Sequence, residues 1–348
     1  MELERVSRDK LNAFGIEYLK SKGVSQEKAK QVTEIVVETE AMGIHTHGVK
    51  LFPYFDSVIP KDLNPKAEPE VIREKAGIAL IDSHSGFSQI AMVKAKEIAK
   101  QKVRETGISM VGIKNSLWMG AVGPYLVSLA EEGFFAHLWA QTSTCTDCAP
   151  FGGTEGRFST NPIGLAFPTD PSGNSPVFAD FSTASMSVGK MNTLIKENKK
   201  APEAAFLDRE GNPTDNPNVV PEGGTLLFFG GVNYGYKGYA LSLWIEALTA
   251  MVGGSANNPS SPTRQTIILM LIDPTAFEGK DYYYGEIKRF LTHVKSSKLR
   301  PGFTEIRFPG ERALKEREIS LKEGIAIDTD TLQALKKLSQ KYNLATLL

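Results

Sequence analysis

The sequence predicts a mixed α/β protein with a helical lobe beside an α/β lobe, and three observations carry this reading. Apolar residues recur at helical spacing through the first forty or so positions; short apolar runs alternate with helical stretches through the middle of the chain; and a proline-punctuated segment from Pro60 to Pro69 separates the two patterns. With 348 residues the chain is long enough to bury a sizeable core and to enclose a small-molecule site between lobes.

Each element follows from a local signal. Ser7 is placed to cap a first helix, with Val6 able to staple onto Leu11, and Ser25 to cap a second, with Val24 able to staple onto Ala29. Leu11, Phe14 and Tyr18 make one apolar stripe, and Ala29, Val32, Ile35, Val36 and Met42 make another. The second helix runs into Gly43 and a loop, Ile44-His45-Thr46-His47-Gly48. Beyond the prolines, Ile78–Ile81, Ser109–Ile113, Phe134–Ala140 and Val177–Ala179 read as strands, with helices over Ile90–Lys102 and Gly123–Glu131. A glycine-rich stretch, Gly230–Gly238, precedes a helix at Leu241–Val252, and the chain after Asp281 returns to helical periodicity with polar faces.

Composition narrows the function. Lys plus Arg and Asp plus Glu are 40 each, and no basic stripe is interleaved with aromatics, which argues against a nucleic-acid partner. There is no charged-then-apolar leader and no apolar run long enough to span a bilayer, so the expectation is a soluble, cytoplasmic chain without membrane contact. The two cysteines, Cys145 and Cys148, are too few for a disulfide framework. Their C-x-x-C spacing suits a redox pair or, with His45 and His47, a zinc site, although no thioredoxin-like strand-to-helix context surrounds them.

The histidine loop holds two of the five histidines. An imidazole beside a hydroxyl at a helix exit has the parts that carbonyl and alcohol chemistry needs, with His47 titrating near neutrality and Thr46 orienting it. The chain lacks both the G-x-G-x-x-G and the G-x-x-x-x-G-K-[ST] fingerprints, so an ordinary Rossmann domain or P-loop is not expected. Other glycine clusters remain: Met119 to Gly123, Phe151 to Gly153, Gly235 to Tyr239 and Pro309 to Glu311. Each lets backbone approach a phosphate, and the first opens into a helix N-terminus that favours anions.

Seven segments, taken in order, resemble the type 2 malate/L-lactate dehydrogenase family: THGV at Thr46–Val49, NSLWMGAVG at Asn115–Gly123, PFGGTEGRFSTNPIGLAFP at Pro150–Pro168, FADFSTASMSVGK at Phe178–Lys190, REGNPTDNP at Arg209–Pro217, YKGYALSLWIEAL at Tyr236–Leu248 and PGE at Pro309–Glu311. The resemblance spans nearly the whole chain. It implies an NAD- or NADP-dependent oxidoreductase for a small 2-hydroxy or 2-oxo acid, a homodimer, and a site between the lobes. The implied fold is a non-Rossmann NAD(P)-binding lobe over residues 71–282 and a helical domain built from residues 1–70 with 283–348.

The resemblance also implies roles for residues. His47 is the acid/base, carrying its proton before reduction, with Thr46 orienting it and Asp180 or Lys190 setting the local charge. The coenzyme is lined by the turn of Met119, Gly120, Ala121, Val122 and Gly123, by Ser143, by Asp180, Phe181 and Ser182, by Lys237 and Gly238, and by Pro309, Gly310 and Glu311. Lys50, Trp118, Thr160 and Asn161 fall to the substrate. His45 is read as a structural neighbour, and no metal is implied. Four positions depart from the family pattern: Leu51 replaces an arginine suited to gripping a carboxylate, Trp118 replaces a histidine, His45 replaces an acidic residue, and Tyr236 replaces another histidine. These departures leave two enzyme-level readings, an active reductase with an altered substrate or a coenzyme binder that has lost efficient catalysis, with the metal-binding module as a third.

Overall fold

The computed structural model describes residues 3–254 and 264–344. The N-terminal part runs β1 (Leu3–Val6), α1 (Arg8–Ser21), α2 (Gln26–Ala41) and α3 (Leu51–Val58). The middle follows as β2 (Glu70–Lys75), β3 (Ile78–Asp82), α4 (Ser88–Thr106), β4 (Ile108–Ser116), α5 (Gly123–Glu131), β5 (Phe135–Thr142), β6 (Pro162–Phe167) and β7 (Val177–Ser182). Next come α6 (Val188–Lys196), the short strands β8 (Phe206–Leu207), β9 (Pro213–Thr214) and β10 (Thr225–Leu226), then α7 (Gly231–Tyr234), α8 (Tyr236–Met251) and β11 (Gln265–Ile272). The chain ends with α9 (Lys280–Lys295), α10 (Glu311–Glu323), β12 (Ile325–Asp328) and α11 (Thr329–Lys341).

The first two helices start where their caps dictate: Ser7 accepts the Lys10 N–H at 3.3 Å and Ser25 accepts the Lys28 N–H at 3.4 Å. Their apolar stripes meet α3, β12 and α11 in one core, where Phe14, Tyr18 and Phe52 pack edge to face or stacked. β1 pairs antiparallel with β12, so the two ends of the chain build this lobe together. Met42 lies elsewhere: it belongs to the second core, under the sheet. The proline-punctuated segment is tied down, because the Lys28 ammonium donates to the Ala67 carbonyl at 2.9 Å.

The second lobe is a seven-stranded mixed sheet in the order β2-β3-β4-β11-β5-β6-β7, in which β3 and β4, joined through α4, are the parallel pair and every other neighbour is antiparallel. Helices α4 and α5 cover one face. Its centre is β11, a nearly continuous buried apolar run that shows no alternation because both its faces are covered. β11, β2, β6 and α3 are additions to the elements expected from periodicity. β2 is mostly exposed and polar, and α3 carries Pro53 in its first turn, so neither shows the usual pattern. Helix α8 begins five residues earlier than expected, at Tyr236 rather than Leu241, because Gly238 is a helical residue packed against backbone of Thr183 and Phe229. Helix α9 straddles the expected boundary at 283 and contacts the sheet lobe, the Tyr283 hydroxyl donating to the Pro168 carbonyl at 3.0 Å.

Among the described residues no helix is long and apolar enough to cross a membrane. Nor do three or more His, Cys, Asp or Glu side chains gather as a metal site among them, so His45, His47, Cys145 and Cys148 do not form the zinc set that their sequence spacing allowed. Both cysteines are free thiols, and burial pushes Cys145 up to about 11.

Candidate active site

A cavity of about 1000 Å³ opens where the loop after α2, the turn before α5, strands β6 and β7, the start of α6 and the start of α10 converge. The loop after α2 is launched by a Schellman turn. Gly43, at φ 71°, donates to the Glu40 carbonyl, and the Ile44 N–H reaches back to the Thr39 carbonyl at 3.2 Å. Glu40 then holds the loop from beneath: one carboxylate oxygen accepts the Val49 N–H at 2.8 Å and the other lies 2.6 Å from His45 Nδ1. The loop passes so close that a Cβ on Gly48 would sit 2.9 Å from the Glu40 Cα, which only glycine permits. Glu40 is not among the residues expected from motifs. Its signal was present, since an acidic residue occupies the position four after Val36 on a buried helix face.

Thr46 and His47 line the cavity, with Thr46 Oγ1 and His47 Nδ1 2.6 Å apart. Trp118 meets the imidazole edge on at 5.2 Å and is itself braced at 90° by Tyr54, so the ring is fixed by packing as well as by the hydroxyl. Burial lowers the His47 pKa from its ordinary 6.5 to about 4. The imidazole of the unliganded protein is therefore held toward its neutral form. His45 moves the other way: its hydrogen bond to Glu40 raises its pKa.

Asp180, at the end of β7, accepts the N–H groups of Val122 and Gly123 at 3.0 and 2.8 Å. The helix N-terminus expected to receive a phosphate is thus capped by the protein's own carboxylate. Burial pushes the Asp180 pKa up to about 6, against the opposing pull of the two N–H donors. Lys190, in the first turn of α6, also lines the cavity. Gly120, Ala121, Phe181, Ser182, Pro309, Gly310 and Thr160 join it there.

Several expected site residues lie elsewhere, each for a packing reason. Met119 is a core residue beneath the turn, its N–H bonded to Gln265. Ser143 is buried against Gln141. Asn161 is turned into the protein, donating to Ser242 and Glu246 of α8. Lys50 is ion-paired with Asp328 at 3.2 Å, and Glu311 with Lys295 at 2.7 Å. Lys237 extends over the Tyr234 ring, and Gly238 is enclosed by backbone. Leu51, where the family pattern has an arginine, is 2% exposed in the helical core. Unanticipated contributors are Phe229 and Arg312. Arg312 carried a signal: a cation in the first turn of a helix opposes the helix dipole, so the placement is unfavourable for the helix alone.

The cleft with its histidine–hydroxyl pair sits in a fold shared with dehydrogenases: the structure is similar to malate dehydrogenase from Pyrococcus horikoshii, with a TM-score of 0.86 at 30% identity, covering 99% of this chain and 97% of that one. The chain belongs to the malate/L-lactate dehydrogenase family, whose model matches residues 6–336. In sequence it is 32% identical to malate dehydrogenase from Pyrococcus horikoshii over 347 residues, 97% of this chain and 95% of the relative. It is also 32% identical to L-sulfolactate dehydrogenase from Methanocaldococcus jannaschii over 341 residues, 94% of each.

Proposed function

We propose that this protein is an NAD- or NADP-dependent oxidoreductase that interconverts a small 2-hydroxy acid and the matching 2-oxo acid, with His47 as the acid/base. The observation that carries this is the Thr46–His47 pair, ring-fixed by Trp118 and open to a cavity large enough for a small substrate beside a nicotinamide. The cavity suits such a coenzyme: Phe178, Phe181 and Phe229 supply apolar walls, Gly120 and Gly310 bring backbone close, and Lys190 supplies positive charge. The missing dinucleotide fingerprint and the mostly antiparallel sheet favour a nucleotide lobe outside the Rossmann class.

When bound, the nicotinamide supplies or takes the hydride. In the oxidative direction the neutral His47 imidazole accepts the hydroxyl proton as the carbonyl forms. In the reductive direction it enters protonated and donates to the oxygen of the former carbonyl. A substrate carboxylate beside the ring stabilises the imidazolium, offsetting the burial that disfavours it in the free protein. Thr46 fixes the ring about its axis, and correct placement of this kind is worth roughly a hundred- to ten-thousand-fold in rate.

The buried Leu51 favours a second reading, a coenzyme binder without efficient catalysis, because the usual carboxylate clamp is absent. Coenzyme absorbance, followed with NADH or NADPH and a panel of 2-oxo acids, separates the two. Turnover supports the enzyme; tight coenzyme binding with no turnover on any acid overturns it. A homodimer is part of the proposal. Along α8, Leu243, Trp244 and Met251 present one exposed apolar face, with Trp244 61% and Met251 66% exposed, which a second copy would cover.

A further inference from the structure

We infer that Arg312 and His45 together form the anion anchor of this cavity and hold the carboxylate of the substrate, an inference that rests on the 2-oxo acid reading above. A carboxylate entering the cavity needs a fixed cation. Position 51 cannot supply one, since Leu51 is buried in the helical core, and Lys50 is engaged with Asp328. The cationic groups that line the cavity are Lys190, Arg312 and His45.

Arg312 stands in the first turn of α10, immediately after the Gly310-Glu311 bend. Its Nη1 lies 3.8 Å from where a Cβ on Gly43 would be, so the guanidinium reaches over the loop that carries both histidines. It has no hydrogen bond or ion pair to any other described residue, although Glu316 lies against the same glycine. A guanidinium presents five donors in a planar fork suited to a carboxylate, and here that fork is directed to a cavity wall with its donors uncommitted.

His45 supplies the second donor. Its Nδ1 is held by Glu40 at 2.6 Å, and Glu40 is immobilised in turn by the Val49 N–H, which leaves the Nε2 edge of the ring without a protein partner among the described residues. The groups acting on His45 are Glu40 and Asp328, which favour its charged form, and Lys50, which opposes it; on the α10 side, Arg312 and Glu316 lie against Gly43, two residues before His45. The net result is a raised pKa, so the ring stays cationic further toward neutrality than a free histidine.

The spacing of the two histidines decides which anion is meant. His45 and His47 are two residues apart in the turn that the His47 N–H closes onto the Ile44 carbonyl at 3.0 Å, and both line the cavity. A 2-oxo acid carries its carboxylate on the carbon next to the carbonyl, so one small molecule can meet His47 through its oxo oxygen and the His45–Arg312 pair through its carboxylate. A coenzyme phosphate bound at the same place would occupy the proton-transfer end of the cavity. Asp180, the acidic group lining the cavity on the α5 side, repels a carboxylate from that wall and reinforces the orientation.

The test uses the full chain, saturated with whichever of NADH or NADPH it binds, and titrates oxamate, an unreactive analogue of a 2-oxo acid, by quenching of coenzyme fluorescence. Arg312→Gln is expected to weaken oxamate binding roughly 10- to 100-fold while the coenzyme dissociation constant is unchanged. Arg312→Lys recovers part of the loss, because a point charge replaces the fork incompletely. In the wild type, oxamate affinity falls as pH rises and His45 loses its proton; His45→Gln is expected to flatten that dependence. Equal oxamate affinity in the wild type and in both variants would overturn the anchor. So would weakened coenzyme binding in Arg312→Gln with oxamate unaffected, which would assign the residue to a phosphate. Turnover of 2-oxo acids that is indifferent to Arg312 overturns the anchor and leaves the oxidoreductase reading standing. Coenzyme binding by a wild type that takes up neither oxamate nor any 2-oxo acid overturns both.

Discussion

Replacing His47 with glutamine removes a titrating ring from a packed position, and the structure sets the size of the consequence. In the unfolded chain the imidazole takes up its proton near 6.5, whereas in the folded protein burial delays this to about 4. Between those values the unfolded chain binds a proton that the folded one refuses, so stability falls as pH drops through the window and is fully present above 6.5. At 1.36 kcal/mol per pH unit the whole fall is at most about 3 kcal/mol. Denaturant unfolding of wild type and His47→Gln at a series of pH values between 7 and 4 measures it: the stability of the wild type relative to the variant should fall by up to that amount as the pH drops across the window. The same substitution should reduce turnover roughly a hundred- to ten-thousand-fold with coenzyme affinity nearly intact. Parallel stability profiles for the two proteins, or a His47 resonance that titrates at 6.5 or above in the unliganded protein, would refute the reasoning, and wild-type turnover in the variant would remove His47 as the acid/base.

Other perturbations probe the supports of the cavity. Gly48→Ala forces a methyl against the Glu40 backbone, where 2.9 Å is available, and should destabilise the protein by about 1–3 kcal/mol in denaturant unfolding; an unchanged midpoint would show that the loop can move away. Asp180→Asn addresses the opposite pH trend. Its carboxyl is raised from 3.8 to about 6, so the wild type loses stability from this group as pH rises through that range, and the variant should lack that loss in unfolding measured from pH 4 to 6. An unaltered slope would mean that the cavity leaves the carboxylate well solvated. Trp244→Glu on the exposed face of α8 should convert a dimer to a monomer in sedimentation equilibrium, whereas a wild type that sediments as a monomer would remove that surface as the contact.

The legible parts of the fold are those coded over a few residues. Caps at Ser7 and Ser25, the stripes of α1 and α2, the strands β3, β4, β5 and β7 and the bounds of α5 all follow from local spacing. β11 is the counterexample: as the centre of the sheet it is covered on both faces, and that removes the alternation by which a strand is recognised. The candidate site divides the same way. Thr46, His47 and Trp118 are visible as motif residues and stand together at the cavity. Met119, Ser143 and Asn161 sit in equally motif-rich segments, but a motif records that a residue matters without recording whether it faces the cavity or supports the backbone that does.

By itself the sequence determined the family, the two kinds of lobe and the histidine–hydroxyl pair, because each is carried by contiguous residues whose capping, periodicity or identity acts over a turn or two. Only the tertiary structure decided that Glu40 clamps the histidine loop, that Asp180 caps α5 from 57 residues away, and that Arg312 arrives over Gly43 from the far end of the chain. Those contacts depend on packing within each lobe, and the energy of burying a carboxylate against a backbone N–H, or leaving a guanidinium uncommitted in a cleft, exists only once folding brings these segments within a few ångströms.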